Sequence, residues 1–316
     1  EKIVEEELSK QASQYWESPF LDRAFVVMMD PHTGEILSMV GKKYGKDENG
    51  KTELQDYALG TYTSEYGVGS AVKGATVLTG YMTGALNVGD VLYDEAIAIK
   101  GTPVKRSWFN LSRGPMYLND IDALEISSNA YMFKTAIKIA GGVYRKDQPI
   151  DMDPKAFDTM RNYYSQFGLG VKTGIDLPGE VEGLKGTERE PGKLMDFAIG
   201  QYDLYTPMQL VQYASTIANG GFRMEPHLMK EIREPSQERD KVGPLIYEND
   251  AKVLNRIDAT ERQIQQVQRG FYKVAHGSQG TANNFRNAPY DAAAKSGTAE
   301  AFYYSPEEKR QYDTYN

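Results

Sequence analysis

Gly67-Val68-Gly69-Ser70-Ala71-Val72-Lys73-Gly74 sets a serine behind two glycines and a lysine three residues further on. A helical pattern of Val72, Ala75, Thr76, Thr79 and Met82 starts at the same point. That spacing places Ser70 at a helix N-terminus with Lys73 one turn on and on the same face. A serine hydroxyl is a weak nucleophile and needs a base within hydrogen-bond reach. An amine can be that base once it is neutral, a state favoured by burial and by a neighbouring cation, both of which lower its pKa. The helix N-terminus adds backbone N–H groups able to stabilise an oxyanion. Ser-x-x-Lys occurs only here, and no serine sits in the Gly-x-Ser-x-Gly elbow of an α/β-hydrolase. With no Ser/His/Asp trio to prefer, Lys73 is the better base; an isolated match of this kind is otherwise an ordinary helix start with a solvated lysine.

Two further motifs could complete such a site. Ser127-Ser128-Asn129 follows Ile121–Ile126 and precedes a helical pattern, and Ser-x-Asn also occurs only once. A second hydroxyl, Ser127, can relay a proton between an amine and a leaving group, and the Asn129 amide can hold a substrate amide. By themselves these residues read equally as a polar helix boundary, where Ser and Asn cap. Lys-Ser/Thr-Gly occurs twice, as Lys172-Thr173-Gly174 in a turn-rich loop and as Lys295-Ser296-Gly297 in a late run of small residues. Lys295 is the one expected to face the serine, and Lys172 is expected to be structural.

The elements around these groups fall into strand-like ends and a helical middle. Ile3, Val4, Leu8, Ala12 and Trp16 form one stripe and predict a helix over residues 3–16. Ala24–Met29 and Glu35–Val40, joined by Asp30-Pro31-His32-Thr33-Gly34, predict a hairpin, and the polar stretch 41–55 predicts a loop. Thr206 as N-cap, Pro207 at the first helical position and Gln209 three after the cap open a helix that Asn219-Gly220-Gly221 stops. Another helix runs through Tyr131 to Ala140, ended by Gly141-Gly142. Ala292–Glu300 reads as a strand of small residues that something packs closely against. The expected architecture is one α+β domain whose antiparallel sheet is assembled from both ends of the chain, residues 1–50 and 260–316, around a helical subdomain over residues 51–259.

Composition narrows the classes. The chain of 316 residues is 40% hydrophobic and 25% charged, ordinary globular usage with material for a buried core. A net charge of −8 and no long basic block argue against nucleic acid as a partner. The longest apolar run, Ala24–Met29, is far shorter than the roughly 18 residues of a spanning helix. Cysteine is absent and His32, His227 and His276 lack ligand spacing, so no metal and no cofactor are expected. The 22 tyrosines read as core edge and surface rather than as sugar-stacking platforms.

Ser70-x-x-Lys73, Ser127-x-Asn129 and Lys295-Ser296-Gly297, in that order, resemble the signature of penicillin-binding proteins and serine β-lactamases. Phe167-Gly168-Leu169-Gly170, Thr173–Gly179, Ile199-Gly200-Gln201, Thr206–Leu210 and Ala218–Gly221 look like segments of class B, monofunctional penicillin-binding proteins of Firmicutes. The resemblance implies a D,D-transpeptidase of peptidoglycan stem peptides, acylated and inhibited by β-lactam antibiotics. By position, it makes Ser70 the nucleophile, Lys73 its base and Ser127 the proton relay. Asn129 would hold the peptide amide, and Lys295, Ser296, Gly297 and Thr298 the terminal carboxylate side. The backbone N–H groups of Ser70 and Thr298 would form the oxyanion hole. It also implies the outer face of the bacterial cell membrane, an N-terminal anchor outside this chain, and a glycosyltransferase of the shape, elongation or division systems as partner. Further strands are expected beyond Asn316, which comes only 18 residues after Thr298. A class A β-lactamase would carry Glu-x-x-Leu-Asn, but Pro115 precedes Leu118-Asn119 and Ala251 precedes Leu254-Asn255. The alternatives are a D,D-carboxypeptidase, a β-lactam-hydrolysing or sensing relative, and a non-catalytic scaffold.

Overall fold

A computed structural model describes residues 2–13, 23–305 and 309–315. The chain divides into two compact units: residues 1–65, 171–182 and 206–256 form one, and 66–170, 183–205 and 257–316 the other. This differs from the expected boundary. Residues 257–316 belong with the helical unit because helix Glu261–His276 packs on helices Asp120–Glu125 and Lys73–Met82.

In the first unit, Arg23–Met29, Ile36–Lys46 and Thr52–Asp56 form a three-stranded antiparallel sheet in chain order. Val26 lies opposite Val40, and Tyr44 opposite Leu54. The expected hairpin is there, but the loop expected over 41–55 is a strand, a turn and a second strand. The Asp47 carboxylate accepts from the N–H groups of Asn49 and Lys51, and Gly50 takes φ +77°, so these polar residues close a hairpin turn. Its strands are half-exposed and therefore lack the apolar alternation that marks a strand. Tyr62, Ile175 and Met208 form this unit's core, with Val27, Ile36, Met39, Leu177 and Val211 packed against it. Helix Pro207–Ala218 starts as expected: Thr206 Oγ1 accepts from Gln209 N at 3.1 Å, and Gln209 Oε1 accepts from Thr206 N at 3.2 Å. Thr206→Ala is expected to lower stability by about 1 kcal/mol, seen as a lower urea midpoint at unchanged slope. The N-terminal helix runs from Lys2 to Ser13, and Trp16 lies outside the described residues.

In the second unit, helix Lys73–Met82 is the centrepiece, with every residue from Lys73 to Tyr81 buried. It packs on helices Asn129–Ile139, Ala156–Ser165 and Glu261–His276. Thr76, a polar residue inside it, is satisfied by Tyr164 Oη and Ala198 O, each at 2.7 Å. Ile97, Ile99, Ala130, Phe133, Ile137, Ile150 and Met195 form a neighbouring core cluster. The two ends of the chain build separate sheets: Glu300–Ser305 pairs with Arg310–Tyr315 as a two-stranded ribbon. Of the small-residue run Ala292–Glu300, only Glu300 is in a strand; Ala294 N, for one, donates to Phe271 O instead. No helix among the described residues is long and apolar enough to cross a membrane.

Candidate active site

Ser70 lies on a tight 3-10 turn, Gly69–Val72, that runs straight into helix Lys73–Met82. The expected α-helical start is thus wound one step tighter, and the Lys73 N–H donates to Ser70 O. Three glycines explain how this turn meets its neighbours. A Cβ on Gly69, whose φ is +53°, would stand 2.0 Å from Thr298 O. One on Gly200 would stand 2.2 Å from Gly69 O, and one on Gly297 would stand 2.5 Å from Val68 O. Three backbones converge where no side chain fits. Gly69→Ala is expected to cost about 1–3 kcal/mol, measured by thermal melting.

The Lys73 amine meets Ser127 and Asn129. Its Nζ donates to Ser127 O at 2.8 Å and Asn129 Oδ1 at 2.6 Å, and lies 3.2 Å from Ser127 Oγ. Lys295 Nζ donates to the same Ser127 Oγ at 2.9 Å and to Ser296 O at 2.8 Å. Ser127 reaches Lys73 with both carbonyl and hydroxyl from a left-handed backbone, φ +57°, strained for a residue with a side chain. Burial first, and the charge of Lys295 second, hold the Lys73 amine well below the ordinary lysine range, with Asp94 opposing. Burial also brings Lys295 down to about 7. The contacts suit a neutral Lys73. Two of its acceptors have no proton to offer, while Ser127 Oγ can donate to the lone pair and accept from Lys295.

No hydrogen bond joins Ser70 Oγ to Lys73 Nζ, contrary to the direct pairing expected, because Ser127 and Asn129 take the amine's bonds. Catalytic hydrogen bonds often tighten only when substrate is bound. Ser70, Ser127, Asn129, Ser296, Gly297 and Thr298 line one cleft of about 500 Å³. Among the described residues, neither the Ser70 nor the Thr298 N–H donates to a backbone acceptor. Lys172-Thr173-Gly174 belongs to the first unit, its turn tied by Thr173 N donating to Glu180 Oε1 at 2.6 Å.

The same cleft holds residues that sequence reasoning missed. Thr281 Oγ1 is 2.6 Å from Ser296 Oγ, and Gln201 Oε1 accepts from Glu300 N at 3.2 Å. Trp108, 57% exposed, forms a wall braced by Nε1 donating to Ile126 O at 2.9 Å and by Arg113 over its ring. Of these, Gln201 alone belongs to one of the sequence motifs; Trp108 and Thr281 carry no spacing signal.

A serine on a glycine-bounded turn, beside a buried amine of lowered pKa, is the equipment of acyl transfer without histidine. Residues 24–315 match the family model described as penicillin binding protein transpeptidase domain, and the chain belongs to that family, in its class B branch. It is 53% identical over 319 residues to penicillin-binding protein 2A of Bacillus subtilis, covering 100% of this chain and 43% of that protein. It is 26% identical over 322 residues to the peptidoglycan D,D-transpeptidase MrdA of Haemophilus influenzae, covering 92% of this chain and 44% of that protein. Penicillin-binding protein 2B from Streptococcus pneumoniae strain 5204 superposes with a TM-score of 0.85 at 34% identity, covering 97% of this chain and 51% of that one. The chain spans less than half the length of the curated relatives it matches.

Proposed function

We propose that this chain is the catalytic unit of a peptidoglycan D,D-transpeptidase. The observation that carries the reading is the meeting of two lysine amines on one hydroxyl, Ser127 Oγ, at 3.2 and 2.9 Å, in the cleft that Ser70 lines. Ser70 Oγ attacks the penultimate D-Ala carbonyl of a stem peptide, and its proton passes to Lys73 Nζ. The N–H groups of Ser70 and Thr298 hold the developing oxyanion. The C–N bond breaks, and D-alanine leaves with a proton delivered through Ser127. Asn129 holds the peptide amide, while Lys295, Ser296 and Thr298 bind the terminal carboxylate against Gly297. An amine of a neighbouring stem then attacks the ester carbonyl: the new C–N bond forms the cross-link, the bond to Ser70 Oγ breaks, and the amine's proton returns to Ser70. A β-lactam acylates Ser70 in the same way and stays.

A relative named as a peptidoglycan D,D-transpeptidase supports this choice among acyl transfers. The reading places the unit on the outer face of the cell membrane. There it works beside a glycosyltransferase that makes the strands to be joined. Intact-mass measurement after penicillin exposure tests it: a stable adduct of one penicillin is expected, and an activated D-Ala thioester donor should be transferred to an added amine. No adduct, or penicillin hydrolysed at enzyme-like rates, would overturn the reading. Transfer to water alone would make it a carboxypeptidase.

A further inference from the structure

Asp94 ends the short strand Leu92–Asp94 and is 1% exposed, with three side-chain donors converging on it. Asn110 Nδ2 donates to its Oδ1 at 2.8 Å, and the hydroxyls of Ser107, at 2.7 Å, and Ser128 both donate to its Oδ2. Those hydroxyl oxygens already serve as acceptors. Ser107 Oγ takes the N–H groups of Asn129 at 2.9 Å and Ala130 at 3.0 Å, and Ser128 Oγ takes that of Tyr131 at 2.9 Å. These three N–H groups are the otherwise orphaned donors at the start of helix Asn129–Ile139. A hydroxyl has one proton, and the closer approach to Asp94 Oδ2 than the 3.5 Å between the two hydroxyls directs both protons at the carboxylate. Asn110 is oriented as well, because its Oδ1 accepts from Ser107 N at 3.0 Å and its amide nitrogen therefore faces the carboxylate. Every direction in the network is set, and at position 94 a carboxylate supplies acceptors for all three donors.

We propose that Asp94 is a positioning residue of the acyl-transfer site: by taking the protons of Ser107 and Ser128, it pins the first turn of helix Asn129–Ile139 and with it Ser127 and Asn129 against Lys73. The strained Ser127 backbone needs surroundings that over-determine it. Its neighbour Ser128 is held by Asp94 through the side chain and by Ala123 O through its N–H at 2.8 Å. Asn129 is tied by its N–H to Ser107 and by its Nδ2 to Arg106 O at 3.2 Å, which leaves Oδ1 for Lys73. Asp94 is not among the residues lining the cleft, and neither are its partners Ser107, Asn110 and Ser128.

The inference rests on the transpeptidase reading, and a near-isosteric exchange tests it separately. Asp94→Asn turns one acceptor into a donor that meets the Asn110 amide nitrogen head-on. Combining it with Asn110→Asp restores every donor–acceptor pair, including the one from Ser107 N, with the carboxylate moved across the pair. The readouts are the limiting rate of penicillin acylation, separated from noncovalent affinity, and the melting temperature. D94N is expected to lose about tenfold or more in limiting rate, as misplaced catalytic groups do. The D94N/N110D exchange is expected to return to within about threefold of the parent, a non-additive pair. Full acylation by D94N overturns the proposal, as does an exchange variant that melts like the parent without regaining acylation. Should D94N alone not fold, the exchange variant decides, and its failure to fold overturns the proposal too. A parent protein that takes no penicillin refutes the transpeptidase reading instead.

Discussion

Ser70→Ala is expected to yield a folded protein that takes no penicillin: intact mass after exposure stays at that of the free chain, and fluorescent labelling is dark. The Ser70 hydroxyl has no hydrogen bond among the described residues, so its removal leaves no buried partner unsatisfied. The stability change should stay within about 0.5 kcal/mol, as for substitutions away from packed or bonded features. Acylation needs an oxygen that forms a covalent bond to the carbonyl carbon, and no neighbouring group replaces it. An adduct of unchanged mass on the variant would put the nucleophile elsewhere and dissolve the assignment of the cleft.

Lys73→Met is expected to slow acylation by about 10²–10⁴, the usual contribution of a positioned base. It also leaves Ser127 O and Asn129 Oδ1 without their donor, a loss of about 1–3 kcal/mol at a buried site. The pH dependence of the parent carries the sharper signature. Because Lys73 is held well below the ordinary lysine value of 10.5, acylation should rise with pH along a limb that lies below that value. Lys295→Gln removes the cation that helps depress Lys73, so the limb should move to higher pH. Stability follows the same protons. Both lysines have lower pKa values folded than unfolded, so between the two values the unfolded chain binds more protons and stability rises with pH. For Lys295 that window runs from about 7 to 10.5, and the cost of burying it grows as pH falls through it. Melting temperatures across this range should climb in the parent and climb less in Lys295→Gln. A flat profile in the parent would mean that both amines stay charged, and Lys73 could not be the base.

The candidate site residues were legible because the chemistry proposed for them resides in residue type and short spacing. Ser70 and Lys73 share a turn, and Thr206 and Gln209 close a capping box, through local geometry that any chain with those residues adopts. Where the reading failed, the deciding contact was not local. Residues 41–55 looked like a loop because half-exposed strands carry no apolar alternation; pairing of Lys43 with Gln55 and Tyr44 with Leu54 makes them a sheet. The run around Lys295 looked like a strand because its residues are small. They are small because Gly297 meets Val68 O and Ala299 lies beside Gly67.

Residue order thus determined the candidate reactive groups, the start of helix Pro207–Ala218, and that the class is α+β. Folding in three dimensions settled the rest: that Lys73 turns to Ser127 and Asn129, that Lys295 arrives from 168 residues away to share the Ser127 hydroxyl, and that Asp94 accepts from the hydroxyls of Ser107 and Ser128. Periodicity reports that a face is buried, but not which distant segment buries it. An amine's proton affinity depends on that distant segment, through the water it excludes and the charge it brings.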